Sequence, residues 1–540
     1  ILEQGGYVFY AGADVRSASE AYSLTLPETV VRQCKSALGP LTAFKRMVNS
    51  SGKPEFEDVP LTGEAFPHDH AKLPAEIPQT GDRGIRLADV VNGKNTLEEF
   101  TAQLTDYDLS CIIRGEGMGS PKVTAGTAAA FGGVSDTLTA LGIPCACCDD
   151  GPSGMRLDCG TKAFSLPNGT LLASTFDRPL MTELFTFMGL EMHTNQVDCL
   201  LGPGMNIHRH PLNGRNFEYF SEDPYLTGEM ASAELAGLHS TGAEGTIKHF
   251  CGNNRETRRH FLDSVISERA LREIYLRGFE KAVKKGGAKS VMTTYGQVNG
   301  VWTAGNYGLV TGILRDDWGF DGFTMTDWWA NINRRGKAPD KSDFAAMAMA
   351  QNDVYMVTAD GAACNDNTLD SLKSGELTRG ELQRNAMNIL RFLTTTHAMK
   401  RVMGCDDETE IINRPADAGD VDSTDIEFHD IDEDLTLDLT GITTEKGSSY
   451  AFGLNVSKPG VYKVTLTASS TLSELAQTSV SIFALGSPCG MFTFNGTSGA
   501  PVSQTKDVKF LSNFMPIRLY FGGSGLKTQS IRFELKERWT

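Results

Sequence analysis

From about Thr96 to about Met403 the sequence alternates short apolar runs with amphipathic stretches, and this repeat constrains the fold more than any other feature of the chain. The apolar runs are residues 143–148, 197–201, 245–249, 290–295, 322–326 and 353–357. Helical spacing marks 97–104, 179–194, 228–240, 268–285 and 378–400. Strand followed by helix, repeated, is the pattern of a parallel sheet with helices packed outside it. The length suits an α/β fold of the (β/α)8 type, a TIM-like barrel over residues 85–404, with six strands assigned and two unassigned.

With 540 residues the chain is too long for one core, so further domains are expected. After Met403 an acidic stretch precedes alternating runs such as GVYKVTLTAS, TSVSIFAL, MFTFNG, IRLYFGG and SIRFEL. Short alternating runs bounded by Gly, Ser and Asn indicate an antiparallel β-sandwich over residues 415–540, with its boundary near 415. Its aromatics Tyr450, Phe452, Tyr462, Phe494 and Tyr520 are assigned to the sandwich core. Upstream, 7–10 and 22–26 read as a hairpin, 27–38 as a short helix and 46–84 as a linker.

The formal net charge of -17 excludes a polyanionic partner such as nucleic acid, since no basic stripe is present. No apolar run approaches the roughly 18 to 20 residues that span a bilayer, so a membrane partner is not indicated. The cysteines number 11, and Cys145, Cys147 and Cys148 crowd one strand-like run, where they pack as small apolar groups. Free thiols in a reducing compartment, the cytoplasm, are the expectation. The CACC cluster has no second half at zinc-binding spacing, so neither metal nor cofactor is expected.

In a barrel, functional side chains collect just beyond the C-terminal ends of the strands. Five of the six strand assignments run directly into unusual polar groups. These are DDGPSGMR from Asp149, GPGMNIHRHPLNGRNFEYFSEDP from Gly202, KHFCGNN from Lys248, YGQVNG from Tyr295 and TDWW from Thr326. The set suits a polyhydroxylated ring: carboxylates accept from hydroxyls, Lys, Arg and His donate to them, and indoles cover apolar ring faces.

At these residues the chain resembles glycoside hydrolase family 3, the β-glucosidase family, across roughly residues 80 to 400. The segments DGPSGMR, GPGMNIHRHPLNGRNFEYFSEDP, KHFCGNN, SVMTTYGQVNG and GFTMTDWW follow that family's motifs in order and at similar spacing. The resemblance implies that Asp327 is the catalytic nucleophile. It also implies that Asp150 and Arg156 hold the non-reducing-end hydroxyls, with Arg215, Lys248, His249 and Arg259 as further hydroxyl ligands. Tyr295 matches the tyrosine beside the nucleophile and Trp328 the indole that follows it. An attacking carboxylate must be ionised, and Lys248, Arg259 and Tyr295 are expected to keep its pKa low. The family's N-acetylglucosaminidase branch is disfavoured, because KHFCGNN lacks that branch's proline and second histidine.

Retaining hydrolysis needs a second carboxyl group about 5 to 5.5 Å from the nucleophile. In this family the acid/base usually comes from a separate α/β sandwich domain, and some members place it upstream of the barrel. The GGYVFYAGADVRSA run resembles the tail of a fibronectin-like domain over residues 1–45, and the C-terminal sandwich more loosely resembles carbohydrate-binding modules. The expectation is a retaining exo-acting β-glycosidase on a β-glucoside or oligosaccharide, its acid/base supplied by a partner chain or an upstream domain. The alternative is a non-catalytic sugar-binding fragment or subunit.

Plainer roles exist for the same residues. Asp327 could cap a helix, Arg215 could pair internally with Glu218 or Asp223, and Arg258 could exchange roles with Arg259. Strand alternation predicts that only one of Trp328 and Trp329 faces the pocket.

Overall fold

All six apolar runs are strands of one eight-stranded sheet. The computed structural model describes residues 1–40, 43–48, 52–59, 73–117, 120, 122–124, 127–157, 163–334, 337–358, 360–407, 426–473, 476, 478–485 and 487–539. Two exposed hairpins come first, β1 (Gly5–Ala11) with β2 (Ser19–Leu26) and β3 (Lys45–Val48) with β4 (Glu55–Asp58). The barrel strands are β5 (Arg114–Glu116), β6 (Ala129–Gly132), β7 (Cys145–Asp150), β8 (Cys199–Leu201) and β9 (Glu244–Phe250), then β11 (Ser290–Thr293), β14 (Phe323–Met325) and β15 (Tyr355–Thr358). A small sheet of β10 (Asp263–Ser264), β12 (Gln297–Val298) and β13 (Val301–Trp302) stands beside them.

The barrel order is β14-β11-β9-β8-β7-β6-β5-β15, and a parallel bridge between Met325 and Val354 joins its two ends. β6 runs antiparallel to both neighbours, a departure from the all-parallel expectation. The link from β6 to β7 holds only the five-residue helix Asp136–Ala140, too little for a parallel crossover. β5 reads Arg-Gly-Glu and β6 Ala-Ala-Phe-Gly, which explains why neither signals a strand.

Helix starts follow local rules. Asp177 and Asp223 cap the helices Arg178–Thr194 and Pro224–His239, each with proline in its first turn. Thr96 and Glu99 form a reciprocal capping box, as do Thr378 and Glu381. Two expected helices are divided. The stretch 378–400 breaks into Arg379–Leu393 and His397–Met403, because Thr396 caps the second piece. The stretch 268–285 carries wider turns at Leu271–Tyr275 between Glu268–Ala270 and Arg277–Lys284.

The helix expected over 27–38 does not form. That segment lies extended along the barrel, where Glu268 Oε1 accepts from the Ala37 N–H at 2.8 Å and the Leu38 carbonyl accepts from Asn299 Nδ2 at 2.6 Å. Tertiary hydrogen bonds replace the helical ones.

Beyond the barrel, one sheet holds β16 (Phe428–Ile431), β18 (Ser449–Val456), β20 (Thr478–Ala484), β21 (Ser487–Phe494) and β23 (Phe514–Phe521). The other holds β17 (Asp434–Asp438), β19 (Gly460–Ser470), β22 (Val502–Phe510) and β24 (Leu526–Arg538). The pairs are antiparallel except β16 with β18. Phe452, Tyr462 and Phe494 are buried between the sheets, whereas Tyr520 is exposed, contrary to the core assignment. The boundary expected near 415 lies outside the described residues, as do residues 408–425 of the acidic stretch and residues 49–51 and 60–72 of the expected linker. None of the described helices is long and apolar enough to cross a membrane. The described cysteines form no disulfide, and Cys147 and Cys148 are buried in the barrel core.

Candidate active site

The C-terminal ends of the barrel strands open into a cavity of about 580 Å³. Asp150 ends β7, Lys248 and His249 lie within β9, Tyr295 follows β11 and Asp327 follows β14, while Arg156, Arg215 and Arg259 come from the loops between. These eight residues and Trp328, the nine expected at the site, line that one cavity.

Asp327 is 6 % exposed. Its Oδ1 accepts the Trp328 N–H at 2.8 Å, while Oδ2 has no hydrogen-bond partner among the described residues. His249 Nε2 stands 3.8 Å from that Oδ2. Two contacts fix the histidine: Tyr219 Oη lies 3.2 Å from its Nδ1, and its backbone N–H donates to Asn206 Oδ1. Burial, with Arg215, Lys248 and Arg259 nearby, pushes the His249 pKa well below the usual histidine range, so the ring is neutral.

Burial raises the Asp327 pKa above the usual carboxylate value, against the lowering effect of Arg215, the Trp328 N–H, Lys248 and Arg259. This corrects the expectation of a low value. The cations are present, but they do not outweigh the hydration lost on burial. Tyr295 is raised as well, first by burial and then by the Asp327 carboxylate. Arg259 lies over the Tyr295 ring, 4.4 Å from its centre, and pairs with Glu256 at 3.2 Å.

Asp150 behaves oppositely. Lys248 Nζ donates to its Oδ1 at 2.8 Å, and Arg156 Nη1 lies 3.7 Å from Oδ2. Burial on the protein side opposes ionisation, yet Lys248, Arg156 and Arg215 bring its pKa down to about 2. Arg215 is also joined to Glu218, so it makes the internal pair and faces the cavity at once.

The profile of the Glycosyl hydrolase family 3 N terminal domain matches residues 82–392, more than half of the chain. The chain belongs to glycosyl hydrolase family 3. The beta-glucosidase of Ruminococcus albus is 59% identical over 555 residues, which cover 100% of this chain and 58% of that one. Beta-glucosidase A of Butyrivibrio fibrisolvens is 33% identical over 74% of this chain and 49% of its own length. The chain therefore spans about half the length of these relatives. Among solved structures, a beta-glucosidase from Paenibacillus barengoltzii matches with a TM-score of 0.71 and 42% identity, over 98% of this chain and 59% of that one. Beta-glucosidase 3B of Thermotoga neapolitana, in complex with glucose, matches with a TM-score of 0.52 and 37% identity, over 58% of this chain and 44% of that one.

In this family 3 chain both Trp328 and Trp329 line the cavity, which overturns the expectation that only one does. The backbone is no longer a strand at that point. The Ala330 N–H bonds to the Asp327 carbonyl at 3.2 Å, and Trp329 turns into the left-handed region at φ 55°, so alternation does not apply. Sequence reasoning also missed Met292 and Leu201 from the barrel, and the sandwich residues Leu485, Asp507, Lys509, Leu511 and Met515. No local pattern marks a sandwich strand as facing a barrel.

Proposed function

We propose that this chain carries the sugar-binding and nucleophile part of a retaining, exo-acting β-glycosidase, with terminal β-D-glucosyl residues as substrate. One observation carries the reading: a buried carboxylate with one oxygen held by a backbone N–H and the other without a hydrogen-bond partner among the described residues, in a cavity lined by hydroxyl-binding groups. The names of the similar proteins from Ruminococcus albus, Butyrivibrio fibrisolvens and Paenibacillus barengoltzii, each a beta-glucosidase, support it.

In the proposed reaction Asp327 Oδ2 attacks the anomeric carbon while the bond to the leaving oxygen breaks, and that oxygen takes a proton from a carboxylic acid. Water then gives a proton to the carboxylate left by that acid and attacks the same carbon, the bond to Asp327 breaks, and the sugar leaves with retained configuration. The buried setting that disfavours the bare Asp327 carboxylate does not penalise the neutral ester, so it favours the covalent intermediate. Asp150 with Lys248 and Arg156 grips the ring hydroxyls, and neutral His249 offers Nε2 on the nucleophile's side.

The carboxylates lining the cavity, among the described residues, are Asp150, Asp327 and Asp507. Asp150, held at about 2, carries no proton to donate near neutral pH, and Asp507 is ion-paired with Lys536 at 2.6 Å. The acid/base is therefore assigned to a partner chain or to a segment outside the described residues.

A 2-deoxy-2-fluoro glucoside with an activated leaving group tests the proposal on the full-length protein. Mass spectrometry should find the sugar esterified to the peptide containing Asp327. Esterification of another carboxylate, or full activity without labelling, sinks it.

A further inference from the structure

The cavity has a second wall, contributed by the β-sandwich. Along β22, Val508 and Phe510 are buried in the sandwich core, whereas Asp507 and Lys509 point the other way and line the cavity. Leu511, 38 % exposed, follows at the strand's end and lines it too. Lys536 Nζ pairs with Asp507 Oδ2 at 2.6 Å, which orients the carboxylate and leaves Oδ1 for another donor.

The wall is tied to the sugar-holding pair. Leu485, just after β20, adopts φ 49°, and its carbonyl accepts a hydrogen bond from Arg156 Nη2 at 3.1 Å. Nη1 of the same guanidinium faces Asp150. One arginine thus joins the barrel rim to the sandwich hairpin, and the strand bearing Asp507 and Lys509 stands across the same opening.

We propose that this sandwich edge is the leaving-group subsite, built for a polyhydroxylated leaving group such as a second sugar ring. Hydroxyls of that ring donate to Asp507 and accept from Lys509, while Leu511 covers an apolar ring face. The inference rests on the glycosidase reading above and deepens it, because it makes the sandwich part of substrate selection. The C-terminal domain is then a wall of the active site, not a separate sugar-binding appendage.

The test uses Asp507→Ala and Lys509→Ala in the full-length protein, with Lys463→Ala as a control. Lys463 is the cross-strand neighbour of Asp507 on β19 and does not line the cavity. Three quantities are measured: glucose inhibition, which reports the first subsite, and kcat/KM for a β-linked glucose disaccharide and for an aryl β-glucoside. The expected result is a fall of about tenfold in disaccharide kcat/KM, mainly through KM, for each cavity variant. Glucose inhibition should stay within about twofold, the aryl glucoside should change little, and the control should match wild type.

Equal losses for glucose and disaccharide, or no loss for either, overturn the subsite. A loss as large on the aryl glucoside as on the disaccharide overturns the assignment to a hydroxylated leaving group. If the unmutated protein neither binds glucose nor cleaves either glucoside, the glycosidase reading itself fails, and the subsite with it.

Discussion

The floor and the wall of the cavity are built on different physical terms. On the floor, Lys248, His249 and Asp327 are buried, at 3%, 1% and 6% exposure, and each is placed by strand ends and by partners beneath it. On the wall, Asp507 and Lys509 are exposed side chains of a strand whose alternate residues hold the sandwich core. Burial makes each floor interaction strong and each floor substitution costly. Exposure makes the wall tolerant of change, so the wall is suited to adjusting selectivity and the floor to fixed chemistry.

The largest expected effect falls on the floor. Asp327→Asn should lower kcat by at least about 1,000-fold, about 4 kcal/mol, with glucose binding retained in calorimetry. A change below tenfold would place the nucleophile elsewhere and dissolve the contrast. Next comes the scaffold of the wall. Phe510 is fully buried and stacks on Tyr462 with ring centres 4.6 Å apart, so Phe510→Ala should destabilise the sandwich by about 3–5 kcal/mol in denaturant unfolding. Glucose affinity should survive if the floor folds independently of the wall.

Lys248→Met tests the floor's electrostatics and should weaken glucose binding by about 30-fold, about 2 kcal/mol. It also changes the pH response. Asp150 has a folded pKa below its unfolded value, so its contribution to stability is present above about pH 4 and lost as pH falls toward about 2. In the variant most of that contribution is missing at every pH, so the unfolding midpoint should fall less between about pH 4 and about 2 than in the unmutated protein. The side chain of Asp150 is 41% exposed to the cavity, so solvent screening keeps this effect small.

The smallest effect sits where floor and wall meet. Arg156→Lys keeps a charge beside Asp150 but loses the hydrogen bond to Leu485, for a cost of about 1 kcal/mol. Disaccharide turnover should fall more than glucose affinity. Equal loss would mean that the arginine serves the floor alone.

The legible part of the molecule is local. Asp177-Arg-Pro, Glu222-Asp-Pro and the Thr96 and Thr378 capping boxes announce their helices, and six barrel strands stand out as apolar runs. β5 and β6 are silent because Arg-Gly-Glu and Ala-Ala-Phe-Gly are short and carry little strand propensity beyond Phe131, and one of the two is reversed. The stretch 27–38 has a helical look, yet its backbone bonds with Glu268 and Asn299 decide otherwise.

By itself the sequence determined the residue types at the barrel rim, since side chains just past strand ends converge on one opening whatever the loops do. It also determined membership in a family whose motifs keep their order. Only the tertiary structure decided that burial outweighs the cations around Asp327, that the turn at Trp329 brings two indoles to the cavity, and that Arg156 reaches Leu485. The first rests on desolvation, the second on a local departure from strand geometry and the third on a contact between segments hundreds of residues apart, and periodicity along the chain encodes none of them.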